Sequence, residues 1–263
     1  MRWIRAALVS ALALACGGCF HMTTVMKVDG TGAGTIEHSM VFTTAGLAQL
    51  KQLLMFSGGR GQNFDPLSEQ QARDMAAVIG EGVTYVSSRP VVTPTGQGRE
   101  ATYAFTDVNQ LKISTTPPTP GGVAIKTPTL NTETSKVTFS LTHEANGNAV
   151  LHIHVPEPNW LGTIASANAS GQLTLLKTML AGAKVQLAAE PSGTFVSSSS
   201  PFVDGQRVTL LEVDLDEMLK DETLLPRLAA AKTEDEIAAI AKSAAGLKVS
   251  FDREITIEFA PAR

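Results

Sequence analysis

Residues 21–42 read HMTTVMKVDGTGAGTIEHSMVF, and this stretch decides which fold the sequence favours. Polar and apolar residues alternate on both sides of a glycine-rich turn, which is the pattern of two half-buried strands joined as a hairpin. We predict strands over 21–29 and 35–42. The turn at 30–34 looks like a dinucleotide-binding loop, but such a loop must lead into a helix whose N-terminus holds the phosphates. Another strand follows instead, so the sequence predicts a turn.

The hairpin pattern recurs further along the chain. Strands over 83–92 and 99–106 flank the turn TPTGQG, and KVTFSLTHEANGNAVLHIHVP (136–156) alternates on both sides of Asn146 and Gly147, a pair typical of tight turns.

The register of the hairpin at 136–156 follows from its apolar residues. A two-residue loop would pair apolar with polar side chains. A three-residue loop over 146–148 pairs Leu141 with Ile153 and Phe139 with Val155, so that one face is wholly apolar. We predict this register, because a slip of one residue would turn every side chain to the other face.

Helices are predicted where apolar residues recur at three- and four-residue spacing between N-cap signals and glycines. Capping boxes begin two of them, at Ser68 with Gln71 and at Thr233 with Glu236. The predicted helices cover 45–56, the stretch from Ser68 to Gly80 or Gly82, 171–181, 214–232, and the stretch from Thr233 to Gly246; further strands are predicted at 183–189, 206–213 and 248–259.

Hairpins interrupted by helices predict an α+β fold: a largely antiparallel sheet built from successive hairpins, with helices packed on one face. We predict a single α+β domain over 19–263. The proline-rich stretch TTPPTPGG (115–122) is the best candidate for a linker or a long surface loop, so the alternative is a sub-domain break at 115–135.

The stretch LALACGGCF (12–20) contains both cysteines of the chain, Cys16 and Cys19. A redox pair of this spacing opens a helix after a strand, and a zinc site needs two further ligands at set spacing. Neither context is present. Arg2 and Arg5 precede an apolar run that is too short to span a membrane and that ends in small residues, which is typical of a secretion signal.

A signal that ends in small residues and a cysteine resembles the lipobox of bacterial lipoproteins, in which the cysteine receives a diacylglycerol and the signal is cut just before it. The resemblance implies a signal peptide over 1–18 and lipid attachment at Cys19. Cys16 is the alternative: the family's preference for an aliphatic residue at the third position before the cysteine favours Cys16, whereas Gly18 favours Cys19.

No aspartate follows either cysteine. In a two-membrane cell this implies export across the inner membrane and anchoring on the periplasmic side of the outer membrane.

The charge of the chain limits its partners. The formal charge is −4, and removal of the signal with its two arginines leaves −6. A mildly acidic chain lacks the basic surface that binds nucleic acid or anionic lipid headgroups, so we expect no nucleic-acid partner.

Two clusters could hold a metal ion, and we interpret both as structural. His152 and His154 share one strand face, and the predicted register sets them opposite Thr142 and Ser140, which predicts a solvated polar face. The acidic residues that follow Asp214 lack the glycine turn of a calcium loop and are expected to compensate a helix dipole.

No G-x-S-x-G, H-E-x-x-H or phosphate-loop pattern occurs in the chain, so we predict no catalytic residue, no metal and no cofactor.

LAQLKQLLMF (47–56) is apolar on more than one face. We interpret it as a deeply buried helix, with the border of a groove for a lipid or apolar peptide as the alternative.

The order of elements also resembles the LppM-type envelope lipoproteins. The shared traits are a lipidated cysteine that runs directly into a strand, the VMKVDGTGAGTIE hairpin, and the late stretch VDGQRVTLLEVDL (203–215). The resemblance implies envelope lipid or glycolipid binding and transfers no functional residue.

We therefore expect a non-enzymatic envelope lipoprotein that is held to the membrane by N-terminal acyl chains and binds or scaffolds an envelope protein or lipid. A carrier or sensor with an apolar cavity is the alternative, and an envelope hydrolase a distant third.

Overall fold

The computed structural model describes residues 20–48, 51, 65–114, 136–156, 182–231, 233–250 and 252–262. Within these residues the strands, in chain order, are β1 (Phe20–Val28), β2 (Gly34–Thr43), β3 (Gly80–Glu81), β4 (Thr84–Thr93), β5 (Gly96–Phe105), β6 (Lys112–Ser114), β7 (Lys136–His143), β8 (Ala149–His154), β9 (Lys184–Pro191), β10 (Gly193–Ser198), β11 (Val203–Asp204), β12 (Arg207–Asp214), β13 (Leu247–Val249) and β14 (Glu254–Pro261). The helices are α1 (Glu69–Ile79), α2 (Leu215–Leu219), α3 (Leu224–Ala230), α4 (Glu234–Lys242) and a 3₁₀ helix at Val108–Gln110. Residues 44–48 are also helical.

The strands form two sheets. The large sheet has eight strands in the order β11-β12-β9-β1-β2-β5-β4, with β13 also paired to β12, and the small sheet has six in the order β10-β14-β8-β7-β6-β3. The hairpin predicted over residues 21–42 is confirmed as β1 and β2, which pair so that Met26 lies opposite Ile36. The second neighbour of β1 is β9, which runs parallel to it with Thr24 opposite Leu187.

The apolar faces of the two sheets pack against each other and against α1. Met26, Ile36 and Tyr103 of the large sheet are fully buried in one cluster with Leu151 and Ile257 of the small sheet. Each such side chain contributes about 1.5–3 kcal/mol when it leaves water. This contact between sheets is the core of the domain.

Helix α1 closes one side of that core. Its predicted N-cap is confirmed, since Ser68 Oγ accepts the backbone N–H of Gln71 at 3.4 Å, and Gly80 is the C-cap. Ala72, Ala76 and Ile79 form the buried stripe of the helix. The Tyr103 hydroxyl donates to the backbone carbonyl of Ala72 at 2.8 Å, which joins the helix to β5 of the large sheet.

The α+β prediction is confirmed in part. The structure contains strands and helices, but the strands do not form a single sheet built from successive hairpins. The strands form two sheets, and the β1–β9 pair is parallel and joins segments far apart in sequence. The helices also do not share one face: α1 packs into the main core, whereas α2, α3 and α4 enclose a second apolar cluster with β13. Alternation predicts which residues of a strand are buried, but it does not encode the partner strand.

The predicted register of β7 and β8 is wrong by two residues. Leu141 lies opposite Leu151 rather than Ile153, and Phe139 lies opposite Ile153 rather than Val155. A five-residue loop closes the hairpin, with the backbone N–H of Glu144 donating to the carbonyl of Asn148 at 2.8 Å. The apolar face is as predicted, since a shift of two residues leaves every side chain on its face and the hydrophobic pattern cannot detect it.

The C-terminal prediction of one strand from residue 248 to 259 is also wrong. The stretch contains β13, which pairs with β12 in the large sheet, and β14, which pairs with β8 and β10 in the small sheet. The N-cap at Thr233 is confirmed, since Thr233 Oγ1 accepts the backbone N–H of Glu236 at 3.2 Å. The helix it begins ends at Lys242, and Gly246, with φ +78°, turns the chain into β13 instead of ending the helix.

Three predicted segments lie outside the described residues: the helix at 171–181, the candidate break at 115–135, and most of the helix at 45–56.

Gly98 is required where β5 passes β2. A Cβ at this position would come within 2.0 Å of the Met40 carbonyl oxygen. We therefore expect Gly98→Ala to lower the free energy of unfolding by at least about 2 kcal/mol, since the neighbouring strands β2 and β5 would have to separate. Urea denaturation followed by circular dichroism measures this change. Thr102→Ala on the same strand is the matched control and should cost less than about 1 kcal/mol; equal losses would show that the contact at Gly98 is unimportant.

Candidate functional site

A polar groove of about 440 Å³ lies on the outer face of the small sheet. Its lining residues are Thr138, Phe139, Ser140, Thr142, His152, His154 and Glu254. The side chains at the surface alternate with the buried residues of β7 and β8, so the predicted polar face is where the sequence places it. His152 lies opposite Ser140, and His154 opposite Thr138.

His152 is held by hydrogen bonds on both ring nitrogens. Its Nδ1 lies 2.6 Å from Glu254 Oε1, and its Nε2 lies 3.3 Å from Thr142 Oγ1. The carboxylate accepts a hydrogen bond from the Nδ1–H group, and the Thr142 hydroxyl also donates to the backbone carbonyl of Val150 at 3.5 Å. A hydroxyl, an imidazole and a carboxylate in this order also form catalytic triads.

The surroundings of His152 fit a surface network better than a catalytic centre. The Glu254 side chain is 58% exposed and the His152 side chain 32% exposed, so water reaches the bonds between them. Hydroxyl activation depends on a site that excludes water and carries preorganised donors for the developing oxyanion. The groove is therefore suited to reversible polar contacts.

The two metal hypotheses have structural explanations. Within the described ranges, no three His, Cys, Asp or Glu side chains are grouped so that they could hold a metal ion. Asp214 instead caps α2, where its Oδ1 accepts the backbone N–H of Glu217 at 3.2 Å, and its Oδ2 lies 3.1 Å from Lys184 Nζ. Desolvation works to raise the pKa of Asp214, but these bonds outweigh it and hold the pKa below its usual value.

A second candidate region lies at the start of β1, on the inner face of the large sheet. Phe20, Met40, Phe42 and Leu47 form an apolar group separate from the main core, which we call the Phe42 cluster. The rings of Phe20 and Phe42 lie 6.2 Å apart at 44°. Phe20 directly follows Cys19, so this end of the sheet is the one nearest to the predicted lipid attachment.

The inner face next to the Phe42 cluster contains polar groups. His38 is buried, and the Thr24 hydroxyl lies 2.9 Å from its Nδ1, while its Nε2 has no partner. Burial lowers the pKa of His38 to about 4, so the ring is neutral at pH 7. On β5, Arg99 lies opposite Met40 and keeps two buried nitrogens, Nε and Nη1, without a hydrogen-bond partner.

The sequence analysis missed His38 and Arg99, although a signal for each was present. His38 is in phase with Ile36 and Phe42 on β2, and Arg99 is in phase with Tyr103 on β5, so both belong to the inward-facing set of an alternating strand. Polar residues in such positions are rare and mark networks or sites. Cys19 and Cys16, the predicted alternatives for lipid attachment, lie outside the described residues.

Among the parts of the chain that are described, no helix has the length and apolar character needed to span a bilayer.

Comparison with known proteins assigns neither a family nor a fold to the chain. No family model matches the chain, and no curated protein matches it. One solved structure that is similar is the NMR structure of the folded domain of the Mycobacterium tuberculosis LppM protein. The match covers 94% of this chain and 92% of the LppM chain. The two share 7% sequence identity with a TM-score of 0.33. A likeness at this level supports no argument about fold or function, so the resemblance to LppM-type lipoproteins stays a prediction.

The buried His38 predicts a pH-dependent stability. Its folded-state pKa of about 4 lies below the ordinary value of 6.5, so between these values the unfolded chain takes up a proton that the folded chain does not. The stabilisation is complete above pH 6.5 and is lost as the pH falls towards 4, by up to about 3 kcal/mol. We expect His38→Gln to flatten this part of the curve of unfolding free energy against pH, measured by urea denaturation. An equal slope in wild type and His38→Gln would contradict the assignment.

Proposed function

We propose that this chain is a lipid-anchored lipoprotein of the cell envelope whose folded domain binds or scaffolds other envelope molecules and catalyses no reaction. The observation that carries the proposal is the lipobox-like end of the signal, with Cys19 placed directly before β1. A strand that begins at Phe20 leaves no spacer between the acylated residue and the sheet. The domain is then held at the membrane surface.

The anchoring has a simple energetic basis. Acyl chains contribute about 0.8 kcal/mol per buried CH₂, so one chain holds a protein weakly and two or three hold it firmly. Export across the inner membrane followed by anchoring at the periplasmic face of the outer membrane is the location that best fits a cysteine with no aspartate after it. The acidic charge argues against nucleic acid as a partner.

The outer face of the small sheet supports binding rather than catalysis. The His152 network offers donors and acceptors that are fixed in place yet reached by water, which suits a polar surface of a protein partner. A hydrolase centred on Thr142 remains the weakest candidate, because the same exposure weakens the electrostatic stabilisation that acyl transfer requires.

A carrier or sensor of a lipid is the second candidate. The Phe42 cluster favours it, since four apolar side chains gather at the end of the sheet next to Cys19 and apart from the main core. The unpartnered nitrogens of His38 and Arg99 lie on the same face. An amphiphile needs this combination of apolar surface and a few placed polar groups.

Metabolic labelling with a palmitate analogue tests the anchor. We expect the wild-type protein and Cys16→Ala to carry the label and to fractionate with membranes, and Cys19→Ala to lose the label, because the diacylglycerol is joined to the Cys19 thiol. The reverse pattern would assign the acylated residue to Cys16. Label that persists in the double variant, or that is absent from the wild type, would contradict the lipoprotein proposal.

A further inference from the structure

The large sheet has one long edge strand, β4. The strand order of the large sheet ends at β11 on one side and at β4 on the other, and that of the small sheet ends at β10 and β3. β11 and β3 contain two residues each, whereas β4 contains ten. An edge strand presents unpaired backbone N–H and C=O groups, and a short edge limits pairing with another chain. Among the described edge strands, β4 therefore offers the longest surface for a further strand.

This edge is exposed to solvent and partly apolar. Seven of the ten residues of β4 are exposed. Val92 is 71% exposed and Val86 56%, and these are the two largest exposed fractions among the described large apolar residues. A long exposed strand with apolar side chains is a typical site of pairing between chains.

A β-bulge limits the regular part of this edge to residues 87–93, which we call the β4 edge. The register of β4 against β5 shifts between Tyr85 and Ser87, so Val86 has no partner on β5. From Ser87 to Thr93 the pairing with β5 continues residue by residue. A bulge bends its strand and increases the local twist. The β4 edge is therefore the part of the strand that fits the regular spacing of another strand.

Pro90 lies in the middle of the β4 edge. Proline has no backbone N–H, and in a sheet it is tolerated on an edge strand where the nitrogen faces solvent. The pairing with β5 continues through Pro90, which lies opposite Arg99, so the missing donor belongs to the free side. The backbone groups of successive residues alternate between the two sides of a strand. Ser88 and Val92 therefore also face the free side, on either side of a position that has no donor.

A second copy of the chain is the partner that this arrangement excludes most strongly. An edge strand can pair antiparallel with the same strand of a second copy about a two-fold axis. Full overlap of residues 87–93 places Pro90 on that axis and sets Ser88 opposite Val92. The two bonds at the axis would join Pro90 of one copy to Pro90 of the other, so both donors are missing and both carbonyl groups stay unpaired. An unrelated strand would lose one bond at Pro90, whereas a second copy loses two.

The charges of the β4 edge do not oppose this pairing. Arg89 is the one charged residue between Ser87 and Thr93, and it forms an ion pair with Glu100 of β5. Like charges directly opposite each other destabilise a strand pair. In the two-fold arrangement Arg89 would lie opposite Val91 and not opposite Arg89 of the second copy. The obstacle to self-pairing is therefore the proline.

We propose that the β4 edge is a surface for antiparallel pairing with a second copy of this chain, and that Pro90 keeps it unpaired. Replacement of Pro90 by a strand-forming residue restores both bonds at the two-fold axis and continues the large sheet from one copy into the other. Neither the lipid anchor nor a bound ligand is needed for this pairing.

Sedimentation equilibrium of the full-length protein tests the proposal, in a neutral detergent and at a solvent density that matches the detergent. We expect wild type to keep the mass of the monomer as the protein concentration rises. Pro90→Val adds a donor and favours a strand, so its mean mass should rise with concentration towards about twice that of the monomer. Wild type that dimerises as Pro90→Val does, or a folded Pro90→Val protein that stays monomeric, would overturn the proposal.

Pro94→Val is the matched control. Pro94 lies in the turn between β4 and β5, so this variant loses a proline without adding a donor to the β4 edge, and it should stay monomeric. Pro90→Val combined with Val92→Lys should return to the monomer, because a lysine on an edge strand opposes pairing. Association of Pro94→Val, or a double variant that associates as strongly as Pro90→Val, would place the contact elsewhere and contradict the proposal.

Amide hydrogen exchange of wild type, followed by NMR, is a test that does not depend on the folding of a variant. The Val91 amide faces β5 and the Val92 amide faces the free side, so we expect Val92 to exchange at least about tenfold faster than Val91. In Pro90→Val, the exchange of Val92 should slow as the protein concentration rises. Equal protection of Val91 and Val92 in wild type would show that the edge is already paired, against the proposed role of Pro90.

Discussion

The structure depends on β1, the strand that pairs with β2 on one edge and with β9 on the other. The first pairing is local and antiparallel, and the second is parallel and brings residue 24 opposite residue 187. Parallel neighbours need a long connection, and the stretch between β1 and β9 supplies one that contains most of the small sheet. The large sheet therefore cannot be completed until the chain has returned from the small sheet. The two sheets are therefore connected by the order of their strands along the chain as well as by packing.

The inner face of the large sheet divides into two ends. Towards Val28 and Phe105 it is covered by the small sheet and α1, and its residues are apolar and fully buried. Towards Phe20 the same face contains His38, Arg99 and the Phe42 cluster, which does not join the main core. One end of the face stabilises the domain. The other contains polar groups whose burial costs stability, and such groups are typical of binding sites.

The outer faces carry no comparable strain. On the large sheet, opposite charges lie across neighbouring strands, as in Lys27 with Glu37 at 2.6 Å. Pairs exposed to water contribute about 0–1 kcal/mol each, and their main effect is to keep the faces soluble. On the small sheet, the bonds to Glu254 and Thr142 account for the orientation of His152. The polar groups with unmet hydrogen bonds are found on the inner face, among the residues that the structure describes.

The sequence by itself determined several elements of this protein: the first hairpin, the caps at Ser68 and Thr233, and the apolar face of β7 and β8. Local physics decides these features, because alternation and capping bonds act over a few residues. The lipid attachment at Cys19, with Cys16 as the alternative, stays a prediction from the sequence, since both cysteines lie outside the described residues. Only the tertiary structure decided which strands pair, including the parallel β1–β9 contact, the two-residue shift of β7 against β8, and the separation of β13 from β14 into different sheets. Alternation of polar and apolar residues is unchanged when one strand is shifted by two residues along its neighbour. It also does not distinguish one partner strand from another. For the same reason, only the pairing of β5 with β2 shows that Arg99 lies beside His38 and Met40.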